Sequence, residues 1–515
     1  MTRGLSKLRN PYNFMNISGE VVPMVSAIFL FLALAMALSF EFVNGFHDTA
    51  NAVATVIYTH SLPPNVAVVW SGICNLIGVL LSAGTVAYSI VALLPVELVI
   101  NIGSGAGYAM VFALLLSAII WNLGTWYLGL PASSSHTLVG AIMGVGLANS
   151  MLQPGHVFGE GVNWAKAQEV GISLLVSPVI GFVCSAGLLL LTKAFIKSPE
   201  LYAAPPKDQP PPKWIRGLLC LTCTGVSFAH GSNDGQKGMG LIMLILVGVV
   251  PGAFALKMDI AAADIQVVVT QSQAVDAVLA HHRSPNASTT AAGDLSAAED
   301  DVSAYLKTSG KLVDRTIPAI IAVNDAVAAK MGKIKNFSEL SSADRRDLRS
   351  RIYLVSGGIA KMLKSKAIAD PDGAKTASEY RAGLDKITQY IPTWVKVAVA
   401  LALGFGTMIG WKRIVVTVGE KIGKSHLTYA QGASAELVAM VTILAADHYS
   451  QPVSTTHVLS SGVAGTMAAN RSGLQMGTLR NLLLAWVLTL PVCIFLGAVL
   501  FAGGFYVILH GFGLK

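Results

Sequence analysis

The chain has 515 residues, 53% of them hydrophobic and only 12% charged, with a mean hydropathy of +0.60. Soluble globular proteins carry about 25% charged residues, so a chain this long and this poor in charge needs lipid as its solvent. The net charge of +8 is not the footprint of a nucleic-acid binder, because no basic stripe with interleaved aromatics occurs.

The first apolar run, Val21–Phe40, follows a basic N-terminus. It is long for a signal peptide and leads into a polar motif that recurs later, so it reads as a retained span. Further stretches long enough to cross about 30 Å of hydrocarbon lie near 66–94, 108–128, 170–194, 216–230, 239–256, 393–411, 430–447 and 479–509. Segments 41–59, 131–150 and 451–470 are also apolar but begin with polar clusters. The expectation is an all-α polytopic membrane protein of about ten to twelve spans, some of them broken. Short connecting segments carry part of the positive charge (Lys193, Lys197, Lys412, Arg413), as a positive-inside bias would place it. Cys220 and Cys223 sit in the apolar run Gly217–Gly225 with no second ligand pair, and read as packing residues. Residues 257–390 are different: they hold 18 Lys or Arg and 16 Asp or Glu, 34 of the chain's 64 charges. They read as a soluble helical insertion without a catalytic constellation.

The chain repeats itself. Asn44–Ala52 (NGFHDTANA) precedes Leu130–Gly144 (LPASSSHTLVGAIMG), and His230–Gly238 (HGSNDGQKG) precedes Gln451–Gly465 (QPVSTTHVLSSGVAG). Asp48 and His136 are 88 residues apart, Asp234 and His457 are 223, and the difference of 135 is nearly the length of the charge-rich window. With that window removed the spacings agree. The expected organisation is a first transmembrane repeat at 1–200, a Pro-rich linker at 201–213, the start of a second repeat at 214–256, the insertion at 257–391 and the rest of the second repeat at 392–515.

Each Pro-x-Ser-[Ser/Thr]-[Ser/Thr]-His motif has three consecutive hydroxyls at the start of a helical pattern. One hydroxyl suffices to cap a helix; three, twice, at membrane depth, suit an anion site, where unpaired N–H groups and the positive end of the helix dipole add to the hydroxyl donors. A Ser-His hydrolase is a poor reading, since sequence neighbours on a helix do not face each other and no orienting acid stands out. Asp48 and Asp234 lie in otherwise apolar segments, where a carboxylate is costly and functional by default. Glu41 and Asn51 flank the first; Asn233, Gln236 and Lys237 flank the second. Lys237 suits either a local ion pair with Asp234 or a counter-charge for the anion. Carboxylates beside an anion site make sense if a cation travels too. Glu436 is another candidate for protonation, and Asn122 for polar contacts.

At these motifs the chain resembles the inorganic phosphate transporter (Pit) family, close to the bacterial low-affinity, proton-coupled members. NGFHDTANAVATVIYT, WNLGTWYLGLPASSSHTLVGAI, HGSNDGQKGMGLIML, LGFGTMIGWKRI and QPVSTTHVLSSGVAGTM carry the resemblance and span both halves. The family implies two inverted-topology repeats with discontinuous or re-entrant helices, a phosphate site shared between them, and symport rather than enzymatic chemistry. Carried over by position, Ser133, Ser134, Ser135, Ser454, Thr455, Thr456, Asn51 and Lys237 would bind phosphate. Asp48 and Asp234, with Glu41, His47 and Asn233, would serve the coupling cation. The coupling ion is expected to be a proton, since His47 stands where the second motif has Asn233, with sodium as the alternative. A divalent metal travelling with hydrogenphosphate is a candidate passenger; no resident cofactor or metal site is assigned. The expected partners are inorganic phosphate and the bilayer of a cell (inner) membrane, with a homodimer as a candidate assembly. The rivals are a carrier of another oxyanion or divalent metal, and a membrane enzyme or sensor working through the insertion.

Overall fold

The computed structural model describes residues 14–18, 20–91, 93–94, 104–152, 158–159, 162–206, 209–283, 294–307 and 310–512, without the side chains of 48–51, 166 and 512. The chain forms two compact units. One comprises Ala33–Leu94, Tyr108–Ile242 and Ile391–Lys515; the other comprises Met1–Leu32, Pro95–Gly107 and Met243–Tyr390.

The larger unit is built from helices. In chain order these are α1 (Met24–Tyr58), α2 (Pro64–Leu81), α3 (Thr85–Val91), α4 (Gly105–Tyr127), α5 (Ser134–Leu152), α6 (Trp164–Phe195) and α7 (Lys213–Val249). Of the later elements, which are numbered in chain order, α13 (Thr393–Gly410), α14 (Tyr429–His448), α15 (Thr455–Ala469) and α16 (Met476–Val507) complete it. Among the described residues, seven helices are long and apolar enough to cross a membrane: α1, α2, α4, α6, α13, α14 and α16. Of the four helices that carry motifs, α1 is in that set, while α5, α7 and the shorter, 15-residue α15 lie outside it.

The breaks fall differently from the sequence expectation. Segments 22–40 and 41–59 are one helix of 35 residues, and 216–230 and 239–256 belong largely to one of 37. The Asp motifs do not interrupt their helices, and in α7 some of the motif's polar side chains find partners along the helix itself. Gln236 donates to Ser232 O one turn back (2.8 Å), and Lys237 pairs with Asp234 across a turn. The serine motifs do interrupt: residues 131–133 and 451–454 are non-helical, and α5 and α15 begin immediately after them.

Small residues let the helices touch backbone to backbone. A Cβ on Gly45 of α1 would lie 2.5 Å from Leu403 O on α13, and one on Gly406 of α13 would lie 1.9 Å from Phe42 O. The same pair of contacts joins α7 to α2. A Cβ on Gly231 would lie 2.1 Å from Asn75 O, and one on Gly78 would lie 2.2 Å from Phe228 O. Phe42 and Gly45 stand 186 positions before Phe228 and Gly231, the offset that also separates Asp48 from Asp234. Asn75 and Gly78 stand 328 positions before Leu403 and Gly406. The serine-motif helices show a further match: α5 packs on α16, and α15 packs on α6. A Cβ on Gly144 would meet Ile494 O at 2.1 Å, and one on Gly465 would meet Phe182 O at 2.2 Å. Each long partner carries an internal proline, Pro491 and Pro178, which removes one helical hydrogen bond. Every one of these contacts pairs a helix of the first half with one of the second.

The other unit contains an antiparallel hairpin, β1 (Phe14–Ile17) with β2 (Glu20–Pro23), and five helices: α8 (Ala262–His281), α9 (Leu295–Leu306), α10 (Thr316–Met331), α11 (Ser342–Lys364) and α12 (Pro371–Thr388). On α11, Leu348, Ile352, Val355, Ile359 and Met362 recur at helical spacing and are buried, so one stripe enters a core with Val302, Ile320, Val323 and Leu384. Ser341 and Asp370 cap α11 and α12 by accepting from Asp344 N and Gly373 N. Lys361 donates to three carbonyls, Tyr305 O, Lys307 O and Gly310 O, at 2.6–2.9 Å, and so closes the end of α9.

A polar cluster lies in this core: Asn324 donates to Ser272 Oγ and Asp276 Oδ1, both at 2.9 Å, and Tyr380 donates to Asn324 Oδ1. Burial pushes the Asp276 carboxyl up to about 6. A carboxyl with a raised folded-state value favours folding most when protonated, so this contribution is present below about pH 4 and is lost as pH rises through about 6. Amide exchange of the full chain should therefore show protection of residues 262–281 falling over that window after correction for intrinsic rates, and Asp276→Asn should flatten the fall. An unchanged pH profile in Asp276→Asn would contradict the assignment.

Candidate functional site

The hydroxyl triplets divide their work. Ser133 Oγ accepts from His136 N (3.3 Å) and Ser454 Oγ accepts from His457 N (3.2 Å), so the first hydroxyl of each triplet caps its helix. Ser135 Oγ donates to Val453 O at 2.9 Å, which ties the first motif to the backbone of the second. The imidazoles of His136 and His457 lie 4.8 Å apart, centroid to centroid. Ser133, Ser134, Ser135, Ser454, Thr455 and Thr456 are all buried. The structure therefore brings together two motifs that are over 300 residues apart in sequence.

Ser134 faces the second Asp motif. Its Oγ lies 3.5 Å from Asp234 Oδ2, to which it donates, and accepts from Lys237 Nζ at 3.4 Å. Asp234 and Lys237 are fully buried and paired at 2.7 Å, on the same side of α7 at i, i+3. His230, one turn back, puts Nε2 3.5 Å from Asp234 Oδ2, and its Nδ1 is 2.7 Å from Asn75 Oδ1 on α2. Asn233 donates to Gln451 O (3.2 Å), at the start of the second serine motif. Three expected groups, Asp234, Lys237 and Asn233, thus stand against the two serine motifs.

Glu41 is fully buried on α1 and accepts from Asn44 Nδ2 at 3.4 Å. A Cβ on Gly238 would lie 2.2 Å from Glu41 Cγ, so this glycine lets α7 close over the carboxylate, within electrostatic reach of Lys237, Asp234 and His230. His47 is set differently: Nε2 is 2.6 Å from Asn122 O on α4, and Asn122 Oδ1 accepts from Thr137 Oγ1 of α5 at 3.0 Å. His47 therefore meets the serine helix through Asn122. The side chains of Asp48 and Asn51 lie outside the described residues.

Several members of this site carry little signal of their own in the sequence. His230 was legible once α7 is taken as continuous, since it falls four residues before Asp234. Asn75 is a lone amide in a long apolar run. Asp447, on α14, accepts from Ser232 Oγ (2.6 Å) and Gln236 Nε2 (2.5 Å), and so braces the outer side of the Asp234 turn. Glu436, fully buried on α14, accepts from Thr222 Oγ1 at 2.5 Å.

The arrangement collects donors: an ammonium, hydroxyls beyond those used for capping, and the first turns of α5 and α15 with their positive ends. An oxyanion matches that set. Among the described residues no group of three or more His, Cys, Asp or Glu is placed to hold a metal ion.

Residues 44–497 match the profile of the Phosphate transporter family. The chain is 42% identical over 491 residues to a low-affinity inorganic phosphate transporter, PitA, of Escherichia coli (strain K12), covering 93% of this chain and 96% of that one. It is 28% identical to a probable low-affinity inorganic phosphate transporter of Bacillus subtilis (strain 168), covering 92% and 96%. A solved structure titled "The sodium-dependent phosphate transporter" superposes with a TM-score of 0.50 at 19% identity, covering 92% of this chain and 98% of that one; at that identity the likeness concerns the fold.

Proposed function

Because this chain belongs to the phosphate transporter family, as a multi-pass membrane protein and not an enzyme, we propose that it imports inorganic phosphate across a cell inner membrane as a low-affinity, proton-coupled symporter. The observation that carries this reading is the meeting of both serine motifs, through Ser135 and Val453, beside the buried Asp234–Lys237 pair. Phosphate sits against the hydroxyls of Ser134, Thr455 and Thr456 and the helix starts behind them, with Lys237 as its fixed counter-charge. Glu41 and the Lys237-paired Asp234 supply the negative potential against which the coupling cation is held.

The two halves act as inverted repeats, residues 1–200 against 214–256 and 392–515, and the insertion interrupts the second. The matched glycine contacts at constant sequence offsets support this pairing. Transport follows when one repeat rocks against the other around the shared site. Hydrogenphosphate travels with its charge balanced by protons or by a divalent metal passenger.

Ser134→Ala and Thr455→Ala should each leave the protein in the membrane and weaken phosphate binding roughly 10- to 100-fold, about 1–3 kcal/mol for a lost donor to a charged ligand. Equilibrium binding of labelled phosphate to purified variants reads this directly. Wild-type affinity in both would sink the site assignment. Competition by sulfate, arsenate and divalent metals in the same assay separates phosphate from another oxyanion or a metal as cargo.

A further inference from the structure

Two buried rings remain that phosphate binding does not use. His136 and His457 each follow a hydroxyl triplet, in the first turns of α5 and α15. Both are more than nine-tenths buried, and among the described residues His136 Nδ1 and His457 Nε2 have no hydrogen-bond partner. The His457 ring stacks on Trp486 of α16 with centroids 4.1 Å apart and 26° between planes. Trp486 is itself fixed, donating from Nε1 to Pro131 O (3.0 Å), the proline of the first motif. The three rings form a continuous stack, one imidazole from each half, ending on an indole face.

We propose that this His136–His457 pair takes up the coupling proton when phosphate enters the site, the imidazolium resting on the face of Trp486. The inference rests on the phosphate reading above and names the proton's seat within it. Asp234 is a poor seat, since Lys237 already neutralises it at 2.7 Å. The charged groups around the pair are Lys237 and Asp234 on α7, with His230 behind Asp234. On α14, Asp447 is engaged by Ser232 and Gln236, and Glu436 by Thr222; on α6, Glu169 is engaged by Gln451. On α16, the neutral thiol of Cys493 packs against Gly140 of α5.

Lys237 and the positive ends of α5 and α15 repel an added positive charge at the rings, and an arriving phosphate cancels that repulsion. Phosphate and proton therefore favour each other's binding, and by linkage the effect is mutual. The indole face adds a cation–π contact for the imidazolium. The proton enters from water onto a ring nitrogen and leaves the same nitrogen when phosphate departs, so nothing else need be consumed.

The test uses the full chain in detergent. Inorganic phosphate is added in weak buffer with a pH indicator, and tryptophan emission is followed over about pH 5.5–8. Wild type should take up protons on binding phosphate, with emission quenched by the new imidazolium, and the quenching should be missing from Trp486→Phe. The double variant H136Q/H457Q should still bind phosphate while its proton uptake falls to near that of phosphate alone in buffer. Undiminished uptake in the double variant would overturn the proposal, as would loss of uptake in Glu41→Gln with the pair intact. Because wild type alone must show phosphate-dependent quenching assigned to Trp486, its absence overturns the proposal even where a histidine variant fails to fold. Wild type that binds no phosphate would instead overturn the phosphate reading.

Discussion

Replacing Lys237 by methionine is expected to destabilise the protein by about 3–5 kcal/mol and to abolish phosphate binding. Lys237 and Asp234 are fully buried and held at 2.7 Å, so removing the ammonium leaves a carboxylate with neither water nor a counter-charge. The double variant Lys237→Met, Asp234→Asn separates structure from function. A buried ion pair replaced by neutral groups of similar size often loses nothing in stability. The double variant should therefore recover most of the thermal midpoint in detergent. It should still bind no phosphate, because the counter-charge is gone. Recovery of binding together with stability would show that the pair only holds the helix, and would remove Lys237 from the site.

The second large effect concerns backbone contact. A Cβ on Gly406 would lie 1.9 Å from Phe42 O, so Gly406→Val must push α13 away from α1 close to Glu41 and Asn44. Overpacking a tight contact costs about 1–3 kcal/mol or more, and here the obstacle is backbone that cannot rotate aside. Gly503→Val on α16 is the control, since nothing lies within 4 Å of its Cβ. Monodisperse yield by size-exclusion chromatography should collapse for the first and stay near wild type for the second. Equal yields would contradict the close packing described between α1 and α13.

Much of this organisation was legible in the chain. The resemblance to phosphate transporters and the all-helical membrane fold were readable from the motifs and the apolar runs, and the duplicated motifs with their matching spacing are the ground for proposing two related halves. The serine motifs start helices, as a hydroxyl triplet after proline implies, because that pattern has a local structural meaning. The Asp motifs were harder. Glycine and Asn in NGFHD and HGSNDG look like breaks by local propensity, yet α1 and α7 run through them. Their glycines serve close helix contact, as Gly231 does against Asn75 and Gly238 against Glu41, and that is a tertiary fact no local window contains.

The partners of the motifs were hidden for the same reason. Asn75, Asp447 and Trp486 belong to helices whose sequences carry no repeat of either motif. Only packing places Asn75 on His230, Asp447 on Ser232 and Trp486 on His457. The histidines of the serine motifs were visible in sequence as part of a pattern. Their stacking across the two halves required α5 and α15 to meet, which the sequence spacing permits but does not state.

The most direct test is phosphate uptake into proteoliposomes with pH and sodium gradients imposed separately. An inward proton gradient alone should drive accumulation of labelled phosphate, a sodium gradient at equal pH should not, and Ser134→Ala should remove the proton-driven signal. Accumulation that needs sodium and ignores the pH gradient would contradict proton coupling, and no accumulation under either gradient would contradict phosphate symport itself.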